Sequence, residues 1–123
     1  MSEFLLSWLI AFTFTQCVEM GVYVQAHERP RPLRERLAIA FACSAVTHPL
    51  VWFVIPGAVG AAADALEVRA GYWSMVAVGE TWAVVGETVI LWCFAVPRPF
   101  LWALGANAAS FTMGLFGYLY LRW

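Results

Sequence analysis

The sequence predicts an all-α protein, a four-helix transmembrane bundle that forms a single integral membrane domain over residues 1–123. Of the 123 residues, 63% are apolar and only 12% are charged, whereas a soluble domain has roughly 45–50% apolar and about 25% charged residues. Four apolar stretches stand out, at about residues 4–25, 37–56, 72–96 and 100–121. Each is close to the ~20 residues that a helix needs to cross a bilayer. None shows the alternation of a membrane strand, so we expect helices, which bond their own backbone groups internally.

The connections between these stretches carry residues that end helices. Pro32 precedes the second stretch, and Pro97 and Pro99 separate the third from the fourth; proline lacks an N–H and clashes with the preceding helical turn. The connection 57–71 is rich in Ala and Gly and is expected to be a loop or a short surface helix. The first stretch is not expected to be a cleaved signal peptide, because Glu3 makes its leader acidic and no small-x-small cleavage site follows it.

The distribution of arginine predicts the orientation of the bundle. The chain has seven Arg and no Lys. Four Arg lie in the connection 27–36, a fifth, Arg98, lies between the third and fourth stretches, and the other side has only Arg69 and Arg122. Cytoplasmic loops carry an excess of basic residues. We therefore expect both termini outside the cell and both Arg-bearing turns in the cytoplasm.

Several polar side chains lie inside the predicted spans, where lipid disfavours them, and seven of these are candidate site residues. An ionisable group at membrane depth costs at least about 2.5 kcal/mol, so three carboxyl groups and one imidazole in so short a chain require an explanation. The candidate ligand- or ion-binding residues are Gln16, Glu19, Thr47, His48, Glu80, Glu87 and Asn107.

The spacing of these residues predicts that they meet. The triplet Gly-Glu-Thr occurs at 79–81 and again at 86–88. Seven residues are nearly two helical turns, so Glu80 and Glu87 project the same way.

Counting from the cytoplasmic ends at about 1.5 Å per residue gives the expected depth of each side chain. Glu19, Glu87 and Asn107 lie at roughly 10–14 Å, in a lower cluster near mid-membrane. His48 lies above it at about 17 Å, together with Thr47, and Glu80 lies above them at about 24 Å. The lower cluster consists of Gln16, Glu19, Glu87 and Asn107.

The predicted spans contain no basic residue that pairs with the carboxyl groups. Either the acids are protonated packing groups that share hydrogen bonds, or a cation supplies the missing charge, as a proton on His48, a bound metal or a cationic substrate. Glu19, His48 and Glu87 are the candidate ligands of a divalent metal ion, the candidate cofactor. Pro49 interrupts the second stretch and frees a backbone carbonyl, which favours a polar site there, although a plain helix kink is the alternative.

Other chemistries find little support in the sequence. The sequence lacks the ligand spacings of zinc proteases and di-iron bundles. It also lacks a Gly-rich phosphate loop and the Ser-His-Asp order of a catalytic triad. Cys17, Cys43 and Cys93 form no C-x-x-C pair and are expected to be small buried apolar residues. So little charge also excludes a nucleic-acid partner.

The polar motifs resemble those of a group of small, four-helix bacterial integral membrane proteins. The matching motifs are Thr47-His48-Pro49 in the second stretch, Glu80 and Glu87 in the third, and an Ala-Asn-x-x-Ser motif at 106–110 in the fourth. The first stretch matches only through Glu19. The resemblance implies a shared polar interior and a location in the bacterial inner membrane, and it implies no particular activity.

These observations lead to three hypotheses. In the first, the protein binds or translocates a proton, a metal ion or a small cationic molecule at a buried Glu/His site. In the second, it is a non-catalytic accessory subunit whose acids pair with a larger membrane complex. Catalysis by Glu and His is the least favoured, because nothing marks a nucleophile. The expected partners are the lipid bilayer and either further copies in a homo-oligomer or a larger membrane subunit.

Overall fold

The computed structural model describes residues 3–27 and 31–121, which form helices and their connections without any strand. The elements are α1 (Glu3–Tyr23), α2 (Leu33–Phe53), α3 (Ile55–Ala65), α4 (Tyr72–Cys93) and α5 (Pro99–Phe116), and a π-helical turn, Gly117–Leu121, continues α5. The predicted all-α class is confirmed. Arg29 and Arg122, which entered the orientation argument, lie outside the described residues.

Three of the helices, α1, α2 and α4, are long and apolar enough to span a membrane, with 21 or 22 residues each. This confirms a membrane protein with transmembrane helices by length and composition. The fourth predicted span, 100–121, overlaps α5, which has 18 residues and is not one of the three. The additional helix α3 occupies the connection that the sequence left open between a loop and a short helix. α3 begins at Ile55, two residues before the predicted connection 57–71. Pro56 lies in its first turn, a position where proline is well tolerated.

The helices bury polar side chains and expose apolar ones. The buried residues of α1 are Gln16, Glu19 and Tyr23, whereas Phe4 and Ile10 on the same helix are half exposed. Polar groups inside and apolar groups outside is the arrangement that lipid favours and water disfavours.

The cysteines follow the same arrangement. Cys43 is buried as expected, but the prediction is wrong for Cys17 and Cys93, which are exposed on the outer surface of the bundle. A single ring of helices has a narrow interior, so most of each helix surface faces outwards.

The four long helices form a closed ring. Both α1 and α4 pack against α2 and α5, so α1 and α4 lie at opposite corners, and α3 packs on α2 and α4 at one end. At the other end the ring is filled by a core cluster of buried residues. Its members include Tyr23, Ala26, Ile39, Ala40, Cys43, Leu91, Val96, Ala103 and Ala106.

Two arginines cap helix ends at the filled end of the ring. The Arg36 guanidinium donates to the carbonyl oxygen of Val24, just after α1. The Arg31 guanidinium donates to the carbonyl oxygen of Phe94, just after α4, at 2.5 Å. Because the last carbonyls of a helix lack intrahelical partners and form the negative end of its dipole, these cations stabilise both ends.

The end of α4 contains a strained residue and supports a stability prediction. Ala95 has a φ of 52°, and the Val96 N–H donates to Leu91 O at 3.0 Å, which closes the helix. Glycine adopts this left-handed conformation without the steric cost that alanine has. We expect Ala95→Gly to raise the free energy of unfolding by about 0.5–1 kcal/mol, measured by denaturant unfolding in detergent. Ala61→Gly on the exposed side of α3 is the matched control and should lower it; a loss in both variants contradicts the prediction.

Candidate functional site

A cavity of about 660 Å³ lies within the ring, in the half that carries α3. Exposed Tyr72 and Trp73 line it at one end, at the start of α4, and Glu19 and Glu87 line its floor. Below the floor the core cluster fills the ring. The described chain therefore has a cavity that ends inside the bundle rather than passing through it.

Glu87 lies at the floor of the cavity with its carboxyl group fully bonded. It is 1% exposed. One oxygen, Oε2, accepts hydrogen bonds from the Tyr23 hydroxyl and, at 2.5 Å, from Asn107 Nδ2. The other, Oε1, accepts from the Thr47 hydroxyl at 2.9 Å. Three helices, α1, α2 and α5, thus each supply one neutral donor to a carboxyl group on α4.

Glu19, also 1% exposed, is held in the same way. Its Oε2 accepts from the Ser44 hydroxyl at 2.5 Å, and its Oε1 accepts from the Ser110 hydroxyl at 2.8 Å. Every donor to either carboxyl group is uncharged. The bonds orient the two acids and satisfy their oxygens but supply no positive charge.

A close approach of α2 and α4 brings Thr47 to Glu87. A Cβ at Gly86 would lie 3.0 Å from the Thr47 methyl carbon, and a Cβ at Gly79 would lie 3.1 Å from Cγ1 of Val51. These are the two glycines of the repeated Gly-Glu-Thr triplet. Their absent side chains allow the helices to pack closely at the depth of the carboxyl groups.

The two carboxyl groups are neighbours although their helices occupy opposite corners of the ring. They lie close enough to interact directly, and Glu80 also lines the cavity, partly buried. No arginine is among the described residues that line it. The cavity therefore brings three carboxyl groups together with no described arginine beside them, and such a site attracts cations when its acids are ionised.

The other candidate residues fall into two groups. Asn107 and Thr47 lie at the floor, as described above. His48 lines the wall and packs against Phe12 and Trp52, with ring centroids 5.4 and 6.0 Å apart, and its Nδ1 is buried without a hydrogen-bond partner among the described residues. Gln16 was expected in the lower cluster, but it is not among the residues lining the cavity. Its side-chain amide instead donates to the backbone carbonyl of Phe41 at 3.0 Å.

A metal centre does not fit this arrangement. In the described residues no group of three His, Cys, Asp or Glu side chains is placed to hold a metal ion. The candidate ligands Glu19, His48 and Glu87 therefore do not form a coordination site. The carboxyl oxygens instead accept hydrogen bonds from hydroxyl and amide donors.

The candidate ligand residues did not include Ser44 and Ser110, which line the floor, or Tyr23, which lies in the core cluster and donates to Glu87 from below. Helical spacing contains the signal for all of them. Tyr23 lies four residues after Glu19, and each serine lies three residues from a floor residue, Thr47 or Asn107. Residues three or four apart share a helix face.

Comparisons of this chain with protein-family models, with curated proteins and with solved structures give no match. The resemblance of its motifs to small four-helix bacterial membrane proteins therefore stays a prediction.

Proposed function

We propose that this protein binds a small organic cation in the cavity between α1, α2, α4 and α5. The observation that carries the proposal is a cavity with three carboxyl groups and no arginine in its described lining. A charged ligand head placed against the Glu19 and Glu87 pair supplies the missing positive charge.

The size and walls of the cavity favour an organic cation over a bare ion. About 660 Å³ lies within the range of roughly 300–1,000 Å³ typical of small-molecule sites. Phe14, Trp52 and Phe111 line the walls, and aromatic faces attract both apolar groups and cations. An N–H of the ligand can also satisfy the unpartnered Nδ1 of His48.

The placement in the membrane is part of the same proposal. The four helices of the ring span the bacterial inner membrane, and α5 reaches the required length together with its π-helical turn. Arg31, Arg36 and Arg98 then face the cytoplasm, and the termini and the aromatic end of the cavity face outwards. The ligand enters from outside.

The closed floor makes this conformation a binding state. Translocation requires the core cluster to open, and so narrow a ring favours a homo-oligomer or a larger membrane subunit as the conducting assembly. The geometry favours binding over the accessory-subunit alternative. Glu19 and Glu87 are 1% exposed and point into the ring, where they cannot pair with basic residues of a partner.

Calorimetric titration of the purified protein in detergent with hexylamine tests this proposal. Hexylamine is protonated at neutral pH, as lysine is, and hexanol is its neutral match. We expect hexylamine to bind at least about tenfold more tightly than hexanol, because a buried charge-assisted bond contributes about 1.5–3 kcal/mol.

Two variants assign the effect to the cavity. Glu87→Gln should remove most of the preference for the charged ligand, while Asp64→Asn, an exposed acid on α3, should keep it. Equal binding of hexylamine and hexanol by the unaltered protein, or a full preference in Glu87→Gln, overturns the proposal.

A further inference from the structure

The acids of the cavity lie at two levels, one on each side of an apolar section. Glu80 and Glu87 project from one face of α4, seven residues apart, which is about 10 Å along the helix axis. Glu19 joins Glu87 at the lower level. At the upper level Glu80 is the one carboxyl group among the described residues that line the cavity, and Glu19 lies close enough to interact with it from below.

The wall between the two levels is mainly apolar, with the imidazole of His48 as a polar exception. Ala83 of α4, Val51 of α2 and Phe111 of α5 all line the cavity. A ligand that spans both levels therefore meets a carboxyl group at each end and hydrocarbon along its middle. A single cationic head with a short tail leaves Glu80 without a counterion.

We infer that the ligand class of this cavity is a linear diamine, a molecule with one ammonium group at each end of an apolar chain. This inference rests on the proposed function and narrows its substrate class. One ammonium group lies against Glu19 and Glu87, and the other lies against Glu80. An extended chain of roughly six to eight methylene groups spans the distance of about 10 Å between the levels.

The alternative of two separate monovalent cations predicts a different dependence on chain length. Linking the two charges makes the second contact intramolecular, so affinity rises only when the linker matches the spacing of the sites. Separate cations show no such optimum. Chain length is therefore the variable that distinguishes the two.

The experiment compares diamines with monoamines of the same chain length by calorimetry on the purified protein in detergent. Diaminobutane, diaminoheptane and diaminodecane are paired with butylamine, heptylamine and decylamine, and the ratio of the two affinities removes the contribution of chain hydrophobicity. We expect the ratio to be largest for the heptane pair, at about tenfold or more, and smaller for the other two pairs. In Glu80→Gln the ratio for the heptane pair should fall to about one, whereas Asp64→Asn should retain it.

The outcomes separate this inference from the function on which it rests. If heptylamine binds and the ratio shows no optimum with chain length, the diamine inference is wrong and the cation site stands. If neither heptylamine nor any diamine binds, both proposals fail. The length series uses the unaltered protein, so it decides the question even when a variant folds poorly.

Discussion

Replacing Glu87 with leucine is expected to lower the free energy of unfolding by about 2–4 kcal/mol, one of the largest effects of any single substitution in the chain. Leucine is apolar and of similar size, so it fills the space but accepts no hydrogen bond. The Tyr23 hydroxyl, fully buried, then loses its acceptor, and Thr47 and Asn107 lose one each. A buried donor without a partner costs about 1–3 kcal/mol. Unfolding of the purified protein in detergent, by denaturant or heat, measures the loss.

Glu87→Gln is the matched control for the leucine variant. The amide oxygen can take the place of Oε2 and keep the bonds from Tyr23 and Asn107, while the amide nitrogen faces Thr47. The Thr47 hydroxyl already lies 3.1 Å from Cys43 O, so it can donate there and accept from the glutamine. We expect a change below about 1 kcal/mol. A glutamine variant as unstable as the leucine variant would show that charge, and not hydrogen bonding, makes Glu87 necessary for folding.

Replacing Gly86 with leucine is the second substitution with a large expected effect, a loss of about 3 kcal/mol. Its Cβ alone would lie 3.0 Å from the Thr47 methyl carbon. Thr47 is 2% exposed and bonded to Glu87, so it has no room to move away. The larger side chain forces α2 and α4 apart and breaks this bond. Thermal unfolding in detergent measures the effect, and hexylamine binding should weaken in parallel.

Gly105→Leu provides the comparison for Gly86→Leu. Gly105 is an exposed glycine of α5, and a Cβ there has no neighbour within 4 Å among the described residues. The same substitution at this position should leave the unfolding temperature nearly unchanged or raise it, since leucine is a better helix former than glycine. Similar losses at both positions would mean that the approach of α2 and α4 does not require a glycine.

The sequence predicts relations within one helix better than it predicts hydrogen-bond partners on different helices. Helical spacing places Glu80 and Glu87 on one face and aligns Glu19 with Tyr23, since these relations depend only on the 3.6-residue period. Counting residues from the predicted cytoplasmic ends of the helices also places Glu19, Glu87 and Asn107 at a similar depth. The hydrogen-bond partners are less accessible to such reasoning, because a serine or tyrosine at the right spacing is common in helices of any function.

Gln16 and His48 show the limit most clearly. Both share a helix face with a floor residue, yet Gln16 turns to the backbone of α2 at Phe41 and His48 packs between aromatic rings. Rotation of each helix about its axis decides which of several polar residues reaches the centre. Each helix packs against two neighbouring helices at once, and this packing sets its rotation. The residue pattern of a single helix holds no information about those contacts.

The sequence by itself determined the helical class, the presence of helices long and apolar enough to span a membrane, and the presence of acids within them. Apolar length, proline positions and charge distribution are local properties, and lipid leaves the backbone few alternatives to helices. Tertiary structure alone decided that helices from opposite corners of the ring bring Glu19 and Glu87 together, that Gly86 lets Thr47 reach Glu87, and that a cavity remains above them. Those features depend on contacts between segments far apart in the chain, and their geometry follows from how the whole ring packs.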